Sequence, residues 1–65
     1  MMTIYGRAIT DDDMEIIASY MDDEIREQVH AEIAPCSNGE FIKRYLEVDE
    51  SLADILEREF EFKEV

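Results

Sequence analysis

The chemistry of this chain is carried almost entirely by carboxylates. Between Asp11 and Glu27, in the stretch DDDMEIIASYMDDEIRE, stand Asp11, Asp12, Asp13, Glu15, Asp22, Asp23, Glu24 and Glu27, against the single base Arg26. Like charge at that density is either solvated or presented to something positive. Carboxylates fixed on a helix imitate the phosphates of duplex DNA, which supply about one charge per 1.7 Å of axis. A surface of that kind would occupy the Lys/Arg groove of a nucleic-acid-binding protein, with part of its affinity coming from counterion release. These eight residues are the candidate partner-binding set. The same residues also have ordinary duties, since an Asp at a helix start caps it and meets the positive end of the dipole, while an outward Glu is simply solvated. Capping accounts for only a few of the eighteen acids.

Other chemistries find little support. Asp11-Asp12-Asp13 lacks the alternating ligands and central Gly of an EF-hand loop, and no Glu stands at its twelfth position. His30 and Cys36 are the soft ligands, and a structural zinc would need two more donors of suitable type. As a base and nucleophile the pair lacks an orienting third group. Paired carboxylates such as Glu24 and Glu27 would need a water-poor pocket to separate their pKa values. No glycine-rich phosphate loop is present. The expectation is a non-enzymatic protein with no catalytic residue, no metal site and no cofactor. Cys36 reads as a small buried residue in a turn and His30 as a helix-surface or rim residue.

The elements that must position the acids can be read from caps and apolar spacing. Thr10 can cap a first helix with Asp13 at its third position, a capping-box variant, leaving Asp11 and Asp12 in the first turn. Met14, Ile17 and Met21 share one face, flanked by Ile16 and Tyr20. Asp22-Asp23 offers a second cap, opening a helix through Ala34 with Ile25, Val29 and Ile33 inward. One continuous helix over residues 11–34 is the alternative, in which Asp12, Glu15 and Asp23 could share an outer face. Steps of four residues drift about 40° each against the helical turn, which favours a break near Met21 to Asp23. Pro35 ends this region, because it turns Ala34 away from helical dihedrals. Ser37 and Glu40 make a capping box before Phe41, Ile42, Tyr45 and Leu46, and Asp49 is expected to cap a last helix carrying Leu52, Ile55, Leu56 and Phe60. Lys43-Arg44 can pair with Glu40 and Glu47 within their helix, and Arg58 with Glu57 or Glu61. The first nine residues suit a short strand or an extended arm. Phe62 and Val65 could dock on the core, or the tail could pair with residues 2–5.

The fold class expected is all-α, a compact bundle of three to four short helices, with a small terminal β ribbon as an option. Sixty-five residues make one domain, with a small core and marginal stability. Eighteen acids against six bases give a net charge of −12, which disfavours direct binding to nucleic acid or to an anionic membrane and favours a basic partner. One cysteine excludes an internal disulfide and fits a reducing cytosol. The start, MMTIYGRAI, lacks the features of a signal peptide, and no apolar run reaches membrane-spanning length, so a soluble, intracellular protein is expected.

The segment DEIREQVHAEIAPCSNGEF (Asp23 to Phe41), followed by YLEVDESLADILEREF, resembles short acidic proteins of phages and integrative elements. In those, a helix ending in His-x-Glu-x-Ala-Pro-Cys precedes a capped helix beginning Glu-Phe. By size and charge the chain is also similar to anti-CRISPR and antirestriction inhibitors. The resemblance implies a mobile-element origin and the cytoplasm of a bacterial host cell; it carries no site residues. The function expected is inhibition of a host defence or DNA-processing protein, such as a nuclease or a CRISPR effector complex, by occupying its basic nucleic-acid-binding surface. The alternative is a small helical interaction module, a homodimer, whose acids serve only solubility.

Overall fold

A computed structural model describes residues 2–64 of the chain; the docking expected of Val65 lies outside the described residues. Short polar caps divide it into elements. Thr10 Oγ1 accepts the Asp13 N–H at 3.2 Å and Asp13 Oδ2 accepts the Thr10 N–H at 2.9 Å, closing the capping box that opens α1, Asp11–Ala18. A tight turn ends α1: the Ser19, Tyr20 and Met21 N–H groups donate to the carbonyls of Ile16, Ile17 and Ala18. Asp22 Oδ1 then accepts from the N–H groups of Glu24 and Ile25 at 3.0 and 3.1 Å and opens α2, Asp23–Ile33. The break therefore falls where apolar spacing placed it, and the continuous helix that would have aligned Asp12, Glu15 and Asp23 does not form.

Ala34 is extended before Pro35, as the proline ring requires. Ser37 Oγ accepts the Glu40 N–H at 3.2 Å and starts α3, Asn38–Val48. The last helix, α4, spans Ser51–Phe60 and corrects the expected cap. Its cap residue is Glu50, in helical conformation and without a side-chain bond. Asp49 stands one residue earlier, yet its Oδ1 still reaches the Ser51 N–H at 3.2 Å. Arg58 also departs from expectation, pairing with its neighbour Glu59 at 3.3 Å.

The termini form a three-stranded antiparallel sheet in the order β2-β1-β3. In it β1 is Met2–Ile4, β2 is Arg7–Ala8 and β3 is Lys63–Glu64. Thr3 lies opposite both Ala8 and Lys63. The pairing of the tail with residues 2–5 is the expected ribbon; β2 adds a hairpin through Tyr5 and Gly6, both at positive φ (50° and 74°). Such a turn usually places Asn or Asp before Gly. Tyr5 is held there by α4: its N–H donates to the Phe60 carbonyl at 3.0 Å and its hydroxyl to the Glu59 carbonyl at 2.6 Å.

Ile4, Ile17, Val29, Ile42, Tyr45, Leu52 and Leu56 form the fully buried centre, closed by Met21, Phe41 and Phe60. Each such side chain withdrawn from water contributes about 1.5–3 kcal/mol. Ile16 and Tyr20, expected to flank this core, are 54% and 49% exposed; Tyr20 only lays its edge on Phe60. Tyr45 brings a hydroxyl into the interior, where it accepts from the Asp22 N–H at 2.8 Å and donates to Asp49 Oδ2 at 2.9 Å. One phenol thus fastens the start of α2 to the end of α3.

Candidate functional site

The eight acids between Asp11 and Glu27 divide by what they touch. Asp13 is the most enclosed, its side chain 13% exposed beneath Arg7, whose guanidinium meets both carboxylate oxygens. That pair, with the Thr10 N–H and hydroxyl, holds the Asp13 carboxyl well below the ordinary carboxylate range. Asp22 caps α2, Asp23 pairs with Arg26 at 3.1 Å, and Asp11 accepts from Asn38 Nδ2 at 3.0 Å. The remaining four, Asp12, Glu15, Glu24 and Glu27, are exposed, and their carboxylates make no hydrogen bond or ion pair among the described residues.

Two of these four come together in space. Glu15, from α1, and Glu27, from α2, line one open groove of about 700 Å³. Its apolar lining includes Met14, Ala18, Pro35 and Phe41, and Asp11 and Asn38 stand on the same groove. Asp12 and Glu24 lie outside it.

Arg26 also lines the groove but is engaged. One guanidinium nitrogen donates to the Ala18 carbonyl at 3.1 Å and another to Asp23 at 3.1 Å. This places a cation at the negative end of the α1 dipole, where no basic residue of α1 itself stands. The groove and the work of Arg26 were not foreseen from the sequence. The contact from Arg26 to Ala18 crosses the inter-helix turn, and no local pattern signals it.

His30 and Cys36 both border the groove, His30 exposed and Cys36 half-buried. No group of three or more His, Cys, Asp or Glu side chains suited to a metal ion occurs among the described residues. Arg44 bridges Glu32 at 3.1 Å and Glu47 at 2.9 Å, so this base ties α2 to α3 and neutralises acids of both. No helix among the described residues is long and apolar enough to cross a membrane.

Comparison with known proteins adds one finding to this geometry. A family model described as anti-CRISPR protein AcrIC5 matches residues 2–51, from β1 to the first residue of α4. The chain belongs to this anti-CRISPR family. Membership gives the anti-CRISPR chain an inhibitory role and implies that it binds a CRISPR–Cas component. The matched span contains all eight acids of the Asp11–Glu27 stretch and both walls of the groove. No curated protein and no solved structure matches the anti-CRISPR chain.

Proposed function

We propose that the protein is a non-enzymatic inhibitor that occupies the basic nucleic-acid-binding surface of a CRISPR effector complex, presenting carboxylates in place of phosphates. The observation that carries this reading is the quartet Asp12, Glu15, Glu24 and Glu27, exposed and without an internal partner in a chain of net charge −12. A fold that needed acids only for capping would not require them. Asp11, Asp22 and Asp23 add exposed charge beside the quartet, whereas Asp13 is committed to Arg7. On this reading the protein comes from a phage or other mobile element and acts in the cytoplasm of the bacterial host.

The test is binding to a purified effector complex over a range of salt. Lysine at Asp12, Glu15, Glu24 and Glu27 should weaken binding progressively, and raised salt should do likewise. Binding that ignores both would remove the reading. A second reading, a homodimeric interaction module, draws on Tyr5, Ile16 and Tyr20, apolar side chains about half exposed. Sedimentation at two ionic strengths decides it: Tyr20→Ser should abolish association while the acid variants leave it intact.

A further inference from the structure

The decoy reading treats the acids as fixed points of charge. The groove between α1 and α2 has a second property: its lining combines apolar side chains with two unengaged carboxylates, one from each helix. We propose that this groove receives an arginine-bearing segment of the effector, with the arginine's aliphatic stem on Met14, Ala18 and Phe41 and its guanidinium between Glu15 and Glu27. The inference rests on the inhibitor reading above and narrows it from a charged surface to one recognised side chain.

The charge, lining and volume of the groove favour arginine as the occupant. Both helices offer negative charge to the groove, and the cation already present, Arg26, is held by the Ala18 carbonyl and Asp23. A guanidinium is planar, weakly hydrated and able to donate from two edges, which suits two carboxylates from different helices better than the compact, strongly hydrated ammonium of lysine. An apolar lining also favours a long methylene stem that stays dry while its head remains charged. The groove, about 700 Å³, lies within the usual range for pockets that hold small ligands, enough for one such side chain and parts of its neighbours.

The experiment has two arms. In the first, the full chain labelled for NMR is titrated with N-acetyl-arginine amide, and in parallel with the lysine and citrulline analogues. The expected result is saturable shifts at Glu15, Ala18 and Glu27 with the arginine compound, at about millimolar strength. Lysine should be weaker, citrulline silent, and Glu15→Gln with Glu27→Gln should remove the response. Equal response to lysine, shifts spread over all exposed acids, or no saturation would each overturn the proposal.

The second arm uses Ala18→Leu, which narrows the groove at its apolar lining without altering charge, and measures affinity for the purified effector complex. A loss of about tenfold, with the melting temperature retained, is expected. Unchanged affinity in Ala18→Leu alongside loss in Asp12→Lys and Glu24→Lys would overturn the groove and leave the decoy standing. Unchanged affinity in all three would overturn both. The titration of the unaltered chain keeps the proposal testable should Ala18→Leu fail to fold.

Discussion

At the N-terminal end of α2, Asp22 caps the helix while its N–H, with Asp49, closes around the hydroxyl of Tyr45. Along the flank of the same helix, Glu27 lines a groove shared with Glu15, and its carboxylate has no partner among the described residues. The two regions carry the same chemical group under the same net charge and use it in opposite ways. Carboxylates at the junction are saturated by N–H and O–H donors and hold elements together. Glu15 and Glu27 at the groove add self-repulsion, and their carboxylates make no hydrogen bond or ion pair among the described residues. It is carboxylates of this second kind that the proposed function assigns to a partner. Charge count alone does not separate the two groups; hydrogen-bond partners do.

The largest expected effect breaks the junction. Tyr45 is fully buried, and Tyr45→Phe keeps the ring while leaving the Asp22 N–H and an Asp49 oxygen without their partner. A loss of about 1–3 kcal/mol is expected. For a domain this small that corresponds to roughly 4–8 °C of melting temperature per kcal/mol, readable by circular dichroism. Burial raises the Tyr45 hydroxyl above its ordinary value, ahead of the effect of Asp49, so the phenol stays protonated and able to donate throughout the neutral range. If Tyr45→Phe melted like the parent protein, the junction would lose its special standing and the comparison would fail.

The α1 cap comes next. Thr10→Ala removes one half of the capping box and should cost about 1 kcal/mol. The same collar gives a pH dependence. Asp13 is held below its ordinary value chiefly by Arg7, then by Thr10, and Asp49 chiefly by the Ser51 hydroxyl, then by Tyr45. Depressed values mean that the folded state binds fewer protons than the unfolded chain. The stability from these two groups is therefore complete above the ordinary value of 3.8 and lost as pH falls through the depressed values. Thermal melts taken downward in pH should show that decline, and Asp13→Asn should flatten part of it.

How much of this was readable in advance follows from how local each interaction is. Thr10 with Asp13, Asp22 with the N–H groups of Glu24 and Ile25, and Ser37 with Glu40 all act within three residues, and each cap was legible in the sequence. Pro35 stopped α2 for an equally local reason. Asp49 was displaced by one position because the helix begins beyond Glu50, although its carboxylate does the expected work on Ser51. The hairpin through Tyr5 was obscured because a tyrosine in left-handed conformation is supported by α4, more than fifty residues away in sequence. The groove was hidden for the same reason. Residues 14, 18, 27 and 41 meet only after the turn at 19–22 folds α2 back, and no spacing rule states that angle.

The smallest expected effect on stability says most about the groove. Glu15→Gln with Glu27→Gln removes two negative charges, keeps side-chain size and breaks no hydrogen bond among the described residues. Were these acids structural, as Asp13 and Asp49 are, the double variant would melt lower. If they are held for a partner, relief of self-repulsion should leave stability unchanged or raise it by about 0.5 kcal/mol or less, the usual span for surface changes. Added salt should mimic that gain by screening the same repulsion, and the gain should be smaller in the double variant, where less repulsion remains. Affinity for the effector should move the other way under both treatments. A protein whose fold strengthens while its binding weakens, under the same two substitutions and the same salt, has carboxylates placed for another molecule. A fall in both would return Glu15 and Glu27 to the structural group.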